Sequence, residues 1–561
     1  MKKLTFILMA AAALFTACNK EETQATGALK ADFKMSANTC QEGEEITFEA
    51  SAEGGRTPYT FNWEIAAAEG EKISFTGQSK TQKFESCAPY VVKLTVVDKD
   101  GNKVEKRKNL VVTPAPIPET GELSLVWAAK LPGYNAFSSP AVADDGSVYA
   151  TTQSAVLYKF DANGNEVWNK TLGDKCKATP SIDEDGTVYI GTGTTNGKAA
   201  VYAFAADGSE KWKFAGADKF WAPDPSKLSP SVQAAICGIG SENIYFGNTG
   251  TAGTVIAVNK QTGARVAWHE VNGGGPAGGC RAGVVVTKSG NLIWGAGRYG
   301  VFGSSKNTVD AANNSGVAWA WRTFTDWEWV TPDTEDDGAS NNNEGAIGMA
   351  TIGGKSCVVG IMSDPTSPKI YAVDVVTGAV VSSYRVLDSP TMDNGSVAVT
   401  AEGYVVATLN FSNGYKNGGV VVVDLSAAEG RKVAEFRIAD KVSCTPAVDA
   451  AGNIHFASEG GDYYVVDKNC NLLVKKSLKN LVEANATELA KFGKPFDAAK
   501  VWCSPVIGDN GKIYIQFTNN DSEKKREYGA LVCLQTNACT GPGNTSWPMI
   551  GQNRRHTNCE K

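Results

Sequence analysis

Four stretches of this chain can be written under one another, and few folds accept what they share. They read Ser139-Pro-Ala-Val-Ala-Asp-Asp-Gly-Ser-Val-Tyr149, Thr179-Pro-Ser-Ile-Asp-Glu-Asp-Gly-Thr-Val-Tyr189, Thr445-Pro-Ala-Val-Asp-Ala-Ala-Gly-Asn-Ile-His455 and Ser504-Pro-Val-Ile-Gly-Asp-Asn-Gly-Lys-Ile-Tyr514. Each is a short strand opened by proline, a turn ending in glycine, and a second strand in which an aliphatic residue precedes an aromatic one. Proline is tolerated at the first residue of a strand, where its missing N–H costs no ladder bond, and Asp, Asn and Gly supply the turn conformations. The motif is a repeated β-hairpin.

After a copy the pattern continues with a third strand, a second turn and a fourth strand, as in Leu157-Tyr-Lys-Phe-Asp-Ala-Asn-Gly-Asn-Glu-Val-Trp168 and Val201-Tyr-Ala-Phe-Ala-Ala-Asp-Gly-Ser-Glu-Lys-Trp212. A four-stranded unit recurring at roughly 40 to 60 residues is the pattern of a β-propeller, because one small sheet cannot bury both faces alone. The 59 glycines suit a turn-rich all-β protein. Weaker units follow at Ile236, Ala282, Ala346 and Ser396, which makes eight blades, or seven if Gly273 to Gly303 is an insertion. Glu122 to Leu131 precedes the first hairpin, yet its Val126-Trp127 followed by Leu131 matches the fourth strand at Val167-Trp168 and Leu172. A fourth-type strand standing before any first strand is expected to complete the last blade and close the ring, removing open sheet edges.

Upstream, Lys2 and Lys3, an apolar run from Leu4 to Leu14 and Phe15-Thr-Ala-Cys18 resemble a bacterial lipoprotein signal in residues 1–18. That resemblance implies lipidation of Cys18. Residues 19–29 are a tether, and Asn19-Lys-Glu-Glu22 is similar to the surface-export signal of Bacteroidetes lipoproteins, which implies an outer-membrane, cell-surface location. No other apolar run approaches the ~18 residues of a membrane helix, so the lipid is the expected membrane contact. Thirteen cysteines less Cys18 leave twelve, an even number in an exported chain, and most are expected in disulfides. There is no Cys-x-x-Cys, and His269, His455 and His556 are the three histidines, so no zinc motif is present.

Residues 30–113 alternate as strands do, in Ile46 to Ala50, Tyr59 to Ile65 and Tyr90 to Asp98, and Asp100-Gly-Asn102 is a hairpin turn. The strand order, Trp63 and Thr95-Val-Val-Asp-Lys-Asp-Gly101 resemble a PKD or related immunoglobulin-like sandwich. Cys40 and Cys87 are its two cysteines and are expected to pair across a small core. The Pro-rich residues 114–122 are expected to form an extended spacer before the propeller, 123–561.

Asn259-Lys-Gln-Thr-Gly-Ala-Arg-Val-Ala-Trp268 and Asp374-Val-Val-Thr-Gly-Ala379 resemble the Asp-x-x-Thr-Gly turn and docking tryptophan of PQQ-type propellers, the quinoprotein dehydrogenase-like superfamily. Ser546-Trp-Pro-Met549 with Gln552-Asn553 and His556-Thr557 is similar to a terminal segment of many such repeat proteins. The resemblance implies a fold more than an activity, since one propeller carries many functions. Its alcohol dehydrogenases often stack the quinone on a disulfide between adjacent cysteines. No two cysteines here are adjacent and no matching ligand set stands in the sequence, so PQQ is disfavoured and no catalytic residue is assigned. Tyr149, Tyr189, His455 and Tyr514 share one repeat position and are read most simply as blade packing, with His455 as a catalytic base the lesser alternative.

Two binding classes remain. Trp319, Trp321, Trp327 and Trp329, with Arg322, Asp326 and Glu328, fall within eleven residues. Sugars bind through ring faces on aromatics and hydroxyls on charged groups, so this is a candidate site of a glycan-binding or glycan-processing lipoprotein, with inter-blade packing as the alternative role. The other class is an envelope protein partner, as in the propeller lipoprotein of the outer-membrane assembly machinery that the chain resembles. The net charge of −6 offers no footprint for nucleic acid. Finally, Asp333 to Glu344 places Asp333, Glu335, Asp337, Asn341 and Glu344 at loop positions 1, 3, 5, 9 and 12, with the Ala339 carbonyl at 7 and glycine at 6. These are the spacings of a twelve-residue Ca²⁺ loop, which makes calcium a candidate ligand.

Overall fold

A computed structural model describes residues 27–67, 72–134, 137–193, 199–215, 232, 235–238, 242–247, 255–269, 283–288, 291–295, 301–305, 319–320, 347–362, 369–386, 397–411, 417–520 and 528–560. The chain is all-β and divides into two compact units, residues 1–112 and 113–561.

In the first unit the strands are β1 (Lys30–Met35), β2 (Thr39–Gln41), β3 (Glu45–Glu53), β4 (Thr60–Ala67), β5 (Lys72–Thr76), β6 (Ser79–Lys83), β7 (Ala88–Val97) and β8 (Lys103–Thr113). They form one sheet in the order β1-β3-β6 and another in the order β2-β8-β7-β4-β5. Strict alternation drives this: in β7, Tyr90, Val92, Leu94 and Val96 point into the core and their neighbours outward. Trp63 is buried at the centre, stacked on Phe75 with ring centroids 5.5 Å apart and edge-on to Phe33 at 5.1 Å. Its indole N–H donates to the Gly77 carbonyl at 2.9 Å. Cys40 is buried on β2 and Cys87 lies just before β7, so the two flank β8. The hairpin turn is tied by Asp98, whose Oδ1 accepts the N–H groups of Asp100 and Asn102 while Oδ2 accepts the Asn102 amide.

Among the described residues the second unit holds eight small antiparallel sheets, numbered one to eight along the chain, at 141–171, 181–215, 243–269, 284–320, 348–385, 397–438, 447–477 and 499–535. In the first seven the strands pair in sequence order, as a propeller blade requires. The eighth takes its outer strand from the front of the unit. β9 (Ser124–Pro132) pairs antiparallel with Tyr528–Gln535, Leu131 opposite Gly529 and Trp127 opposite Cys533. The expected closing strand is therefore present.

The fourth-strand tryptophans explain how one sheet holds the next. Trp168 lies against Tyr149 of its own sheet at 5.7 Å, and its indole N–H donates to the Ala206 carbonyl in the turn of sheet two at 3.1 Å. Trp212 repeats this, with Tyr189 at 5.8 Å and the Lys260 carbonyl of sheet three at 2.8 Å. Trp127 does the same across the closure, with Tyr514 of sheet eight at 6.1 Å and the Ala162 carbonyl of sheet one at 3.0 Å. Each indole lies over the turn glycine. A Cβ on Gly164, where φ is +82°, would fall 2.5 Å from the Trp127 ring, so only glycine admits the tryptophan. The Asp374 turn is closed by its carboxylate, which accepts the N–H groups of Val376 and Thr377, and Asn259 does likewise for Gln261 and Thr262.

Two sequence expectations are corrected here. Cys176, Cys357, Cys444, Cys470, Cys533 and Cys539 are not in disulfides; each is a single buried thiol. Cys444 donates to the Ala457 carbonyl and accepts the Ala457 N–H, so it serves as a small apolar filler with a weak hydrogen bond. Nor is the whole Pro-rich stretch a spacer. Thr120 exchanges two backbone hydrogen bonds with Lys475 on the outer strand of sheet seven, and Glu119 accepts the Asn480 amide at 3.0 Å. Two short helices, α1 (Leu478–Glu483) and α2 (Ala486–Ala490), follow that strand and brace β9: Leu478 and Val482 share its apolar cluster, and buried Glu488 accepts the Ala128 N–H.

Candidate functional site

The geometry of the ring axis begins with the residue before each proline. The Thr445 N–H donates to Ser504 Oγ at 2.8 Å, the Ser504 N–H to Ser139 Oγ at 2.9 Å, and the Ser139 N–H to Thr179 Oγ1 at 3.1 Å. One hydroxyl per repeat thus carries a hydrogen bond from sheet seven to eight, one and two in turn. Sequence reasoning accounted for the proline and overlooked this hydroxyl, although its recurrence at one repeat position is the signal.

At the end of the ring where first strands turn into second strands, the C-terminal segment crosses from sheet to sheet. Carbonyls of Trp547, Pro548, Arg554, Arg555 and Asn558 accept N–H groups of Val399, Val448, Val142, Ile182 and Val286 at 2.7–2.9 Å. These donors lie on the first strands of sheets six, seven, one, two and four. Ser546 Oγ donates to Met349 O in sheet five, and Arg554 bridges Asp144 and Asp509 at 2.7 and 2.6 Å. Trp547, Met549, Gln552 and His556 are fully buried. The Trp-Pro-Met and His-Thr residues are thereby explained as the strap that crosses this end of the axis.

Beneath the start of that strap lies a cluster of chemically capable side chains. His455 Nε2 is 3.0 Å from Asp449 Oδ2, His455 Nδ1 is 3.1 Å from the Tyr463 hydroxyl, and Cys539 lies close enough for the three ligand types to share an ion. All are buried. Burial opposes ionisation of Asp449, but the bonds from His455 and Asn453 outweigh it and hold the carboxyl below its ordinary range. Burial pushes the Cys539 thiol up to about 12 and the Tyr463 hydroxyl well above its usual value. A thiol this hard to ionise is no nucleophile. Both imidazole nitrogens are engaged, so an ion would have to displace the Asp449 or Tyr463 bond. The arrangement ties sheet seven to the segment after sheet eight; at the same repeat position Tyr189 donates to Asp183 at 3.1 Å, with Lys260 3.3 Å away.

His455→Leu should then lower stability by about 2–4 kcal/mol, because it strands the Asp449 carboxylate and the Tyr463 hydroxyl in an apolar site. The remaining charge on Asp449 makes the loss depend on pH. Since the native carboxyl is held below its ordinary 3.8, its contribution is complete above that value and fades as pH falls through the native one. Urea titrations of wild type and variant at pH 7 and at a series of pH values below 3.8 check both size and direction, the difference between the two shrinking only in the lower range.

The opposite end of the ring carries the connections from second to third strands and from each fourth strand to the next first strand. There Phe137, in the connection after β9, is 38% exposed with φ of +72°, and the Lys177 ammonium lies 5.9 Å from its ring. A non-glycine residue held in this conformation carries backbone strain of the kind that clusters at binding positions. Trp319 is placed by its backbone alone, opposite Gly303 in sheet four. Trp321, Trp327, Trp329, the calcium-loop residues Asp333 to Glu344 and Cys18 lie outside the described residues.

Repeated four-stranded sheets, tryptophans docked on turn glycines and a strand returned from the front of the unit define a β-propeller with PQQ-type repeats. A family model described as outer membrane protein assembly factor BamB matches residues 117–338. Among solved structures, a europium-containing methanol dehydrogenase superposes with TM-score 0.51 at 13% identity, over 74% of this chain and 93% of its own. A quinohemoprotein alcohol dehydrogenase from Pseudomonas putida HK5 gives 0.51 at 13% identity, over 75% and 77%. BamB from Moraxella catarrhalis gives 0.45 at 12% identity, over 74% and 100%. No curated protein matches the sequence. At these identities the likeness to the two dehydrogenases concerns the fold alone.

Proposed function

We propose that this chain is a lipid-anchored, non-catalytic binding platform of the outer membrane. In this reading Cys18 carries the lipid, an immunoglobulin-like, PKD-type sandwich stapled by Cys40 and Cys87 follows it in sequence, and an eight-bladed propeller presents loops to an envelope protein. The observation that carries the reading is the unlikeness of the two ring ends. One is crossed by the chain's own C-terminal segment above a sealed Asp449–His455 pair; the other presents Phe137 exposed and strained. The family description of an outer-membrane assembly factor, matched over residues 117–338, favours a protein partner over a glycan. Tryptophans 319, 321, 327 and 329 remain the place a glycan would bind. Calcium at Asp333, Glu335, Asp337, Ala339, Asn341 and Glu344 would order the loop that follows them, by relieving repulsion among its carboxylates.

Capture by crosslinking from the native envelope, run beside a glycan array, tests this. A stable protein partner with no glycan signal is expected. A glycan signal lost in Trp327→Ala with Trp329→Ala would move the assignment to glycans, and turnover of an alcohol or sugar on addition of PQQ and Ca²⁺ would overturn the non-catalytic reading.

A further inference from the structure

Two of the three histidines in the sequence lie at the ends of the C-terminal segment, His455 beside its root and His556 within its tip. At its root, Asp449 and His455 sit beside Cys539, the Ala450 N–H donates to Gly541 O at 2.9 Å, and the Gly543 N–H donates to Val448 O at 2.8 Å. At its tip the backbone folds tightly, with positive φ at Gly551, Gln552, His556 and Asn558, and the His556 ring enters the ring of sheets until Nδ1 is 3.0 Å from the Pro180 carbonyl. A carbonyl only accepts, so the neutral imidazole carries its proton on Nδ1. Nε2 is then a bare acceptor, fully buried and without a partner among the described residues.

We propose that residues 541–560 form an acid-releasable latch, rooted on sheet seven and held at its tip by insertion of the neutral His556 imidazole beside Pro180. Protonation would place a second N–H and a full charge where the described residues offer no acceptor. Among the described residues, the charged groups around the tip are engaged elsewhere. Arg554 binds Asp144 and Asp509, Arg555 faces Asp144, Asp183 holds Tyr189 and Lys260, and Glu560 accepts from Ser356 and the Lys288 N–H. The two arginines on the same loop add repulsion. The root differs, because it is held by backbone bonds that do not titrate, from the Ala450 N–H to Gly541 O and from the Gly543 N–H to Val448 O. Acid therefore loosens the tip and leaves the root in place, uncovering that end of the axis.

Burial lowers the His556 pKa to about 4 from its ordinary 6.5. The tip's contribution is complete above the ordinary value and is lost as pH falls toward the native one, so tip opening should rise about 30-fold between pH 7.5 and pH 5. Hydrogen exchange of the full chain, corrected for intrinsic rates, should show residues 551–560 losing protection by that factor while 541–549 and the sheet strands hold theirs. His556→Asn keeps an N–H for Pro180 and cannot titrate, so its tip should exchange equally at both pH values. If that variant does not fold, the wild-type pattern decides alone: tip, root and strands losing protection together, or a tip unaffected by acid, overturns the latch.

Discussion

A chain beginning at residue 133 is expected to aggregate or remain unfolded, whereas one beginning at residue 113 should melt within about 2–3 °C of the second unit in the full chain. The difference is β9. Without it, the strand Tyr528–Gln535 becomes an open edge of eight residues whose side chains are almost all buried in the intact unit. Trp127, Ala128, Ala129 and Leu131 leave one continuous apolar cluster, and the braces Leu478, Val482, Phe492 and Phe496 lose the surface they cover. Sheets eight and one also lose the indole that joins them. Trp127→Ala alone should cost about 3–5 kcal/mol, the range for removing a large buried aromatic. Light scattering and thermal melts of the two truncated chains decide the matter, and a fully stable chain from residue 133 would show that the ring does not need its front strand.

Ending the chain at Thr540 is the second large expected effect. Five backbone N–H groups, on buried Val142, Ile182, Val399 and Val448 and half-buried Val286, would lose their carbonyl partners together. At about 1–3 kcal/mol for each donor left unsatisfied, the sum is comparable with the whole stability of an ordinary domain, about 5–15 kcal/mol. Trp547, fully buried against Gly348 of sheet five, and Met549 would go with them. The expected result is loss of the cooperative melt and exposure of apolar surface to a dye such as ANS. Trp547→Ala is the milder form, about 3–5 kcal/mol, with the ring retained. A truncated chain that melts like the full one would reduce the strap to decoration.

What the sequence made legible were the local and repeated features. The hairpin copies, the turn chemistry of Asp374 and Asn259 and the recurrence of Trp127, Trp168 and Trp212 each depend on neighbours at fixed spacing, and repetition multiplies such signals. The closing strand was readable because Val126-Trp127 and Leu131 copy a fourth strand where no blade has begun. What stayed hidden depends on the ring having closed. The hydroxyls of Ser139, Thr179 and Ser504 accept from sheets next in space, and the strap pairs residues 547–560 with strands hundreds of positions away. The thirteen cysteines misled for a related reason. Their number and the export signal suggested bridges, but Cys444 and Cys176 each fill a small gap in their own sheet, hydrogen-bonded to the backbone. His455 read as blade packing, and its bonds to Asp449 and Tyr463 do stay within sheet seven, yet its place beside Cys539 required the path of the segment after sheet eight.

The binding-platform account rests on one ring end meeting a partner while the other is taken up by the chain itself. The most direct measurement places a photo-crosslinking phenylalanine analogue at Phe137, on the end with the exposed aromatic, or at exposed Asn163, in a turn on the strap end, and irradiates intact envelopes. The account predicts a discrete crosslinked protein from position 137 and none from position 163. Equal labelling from both positions, or none from 137, would contradict it.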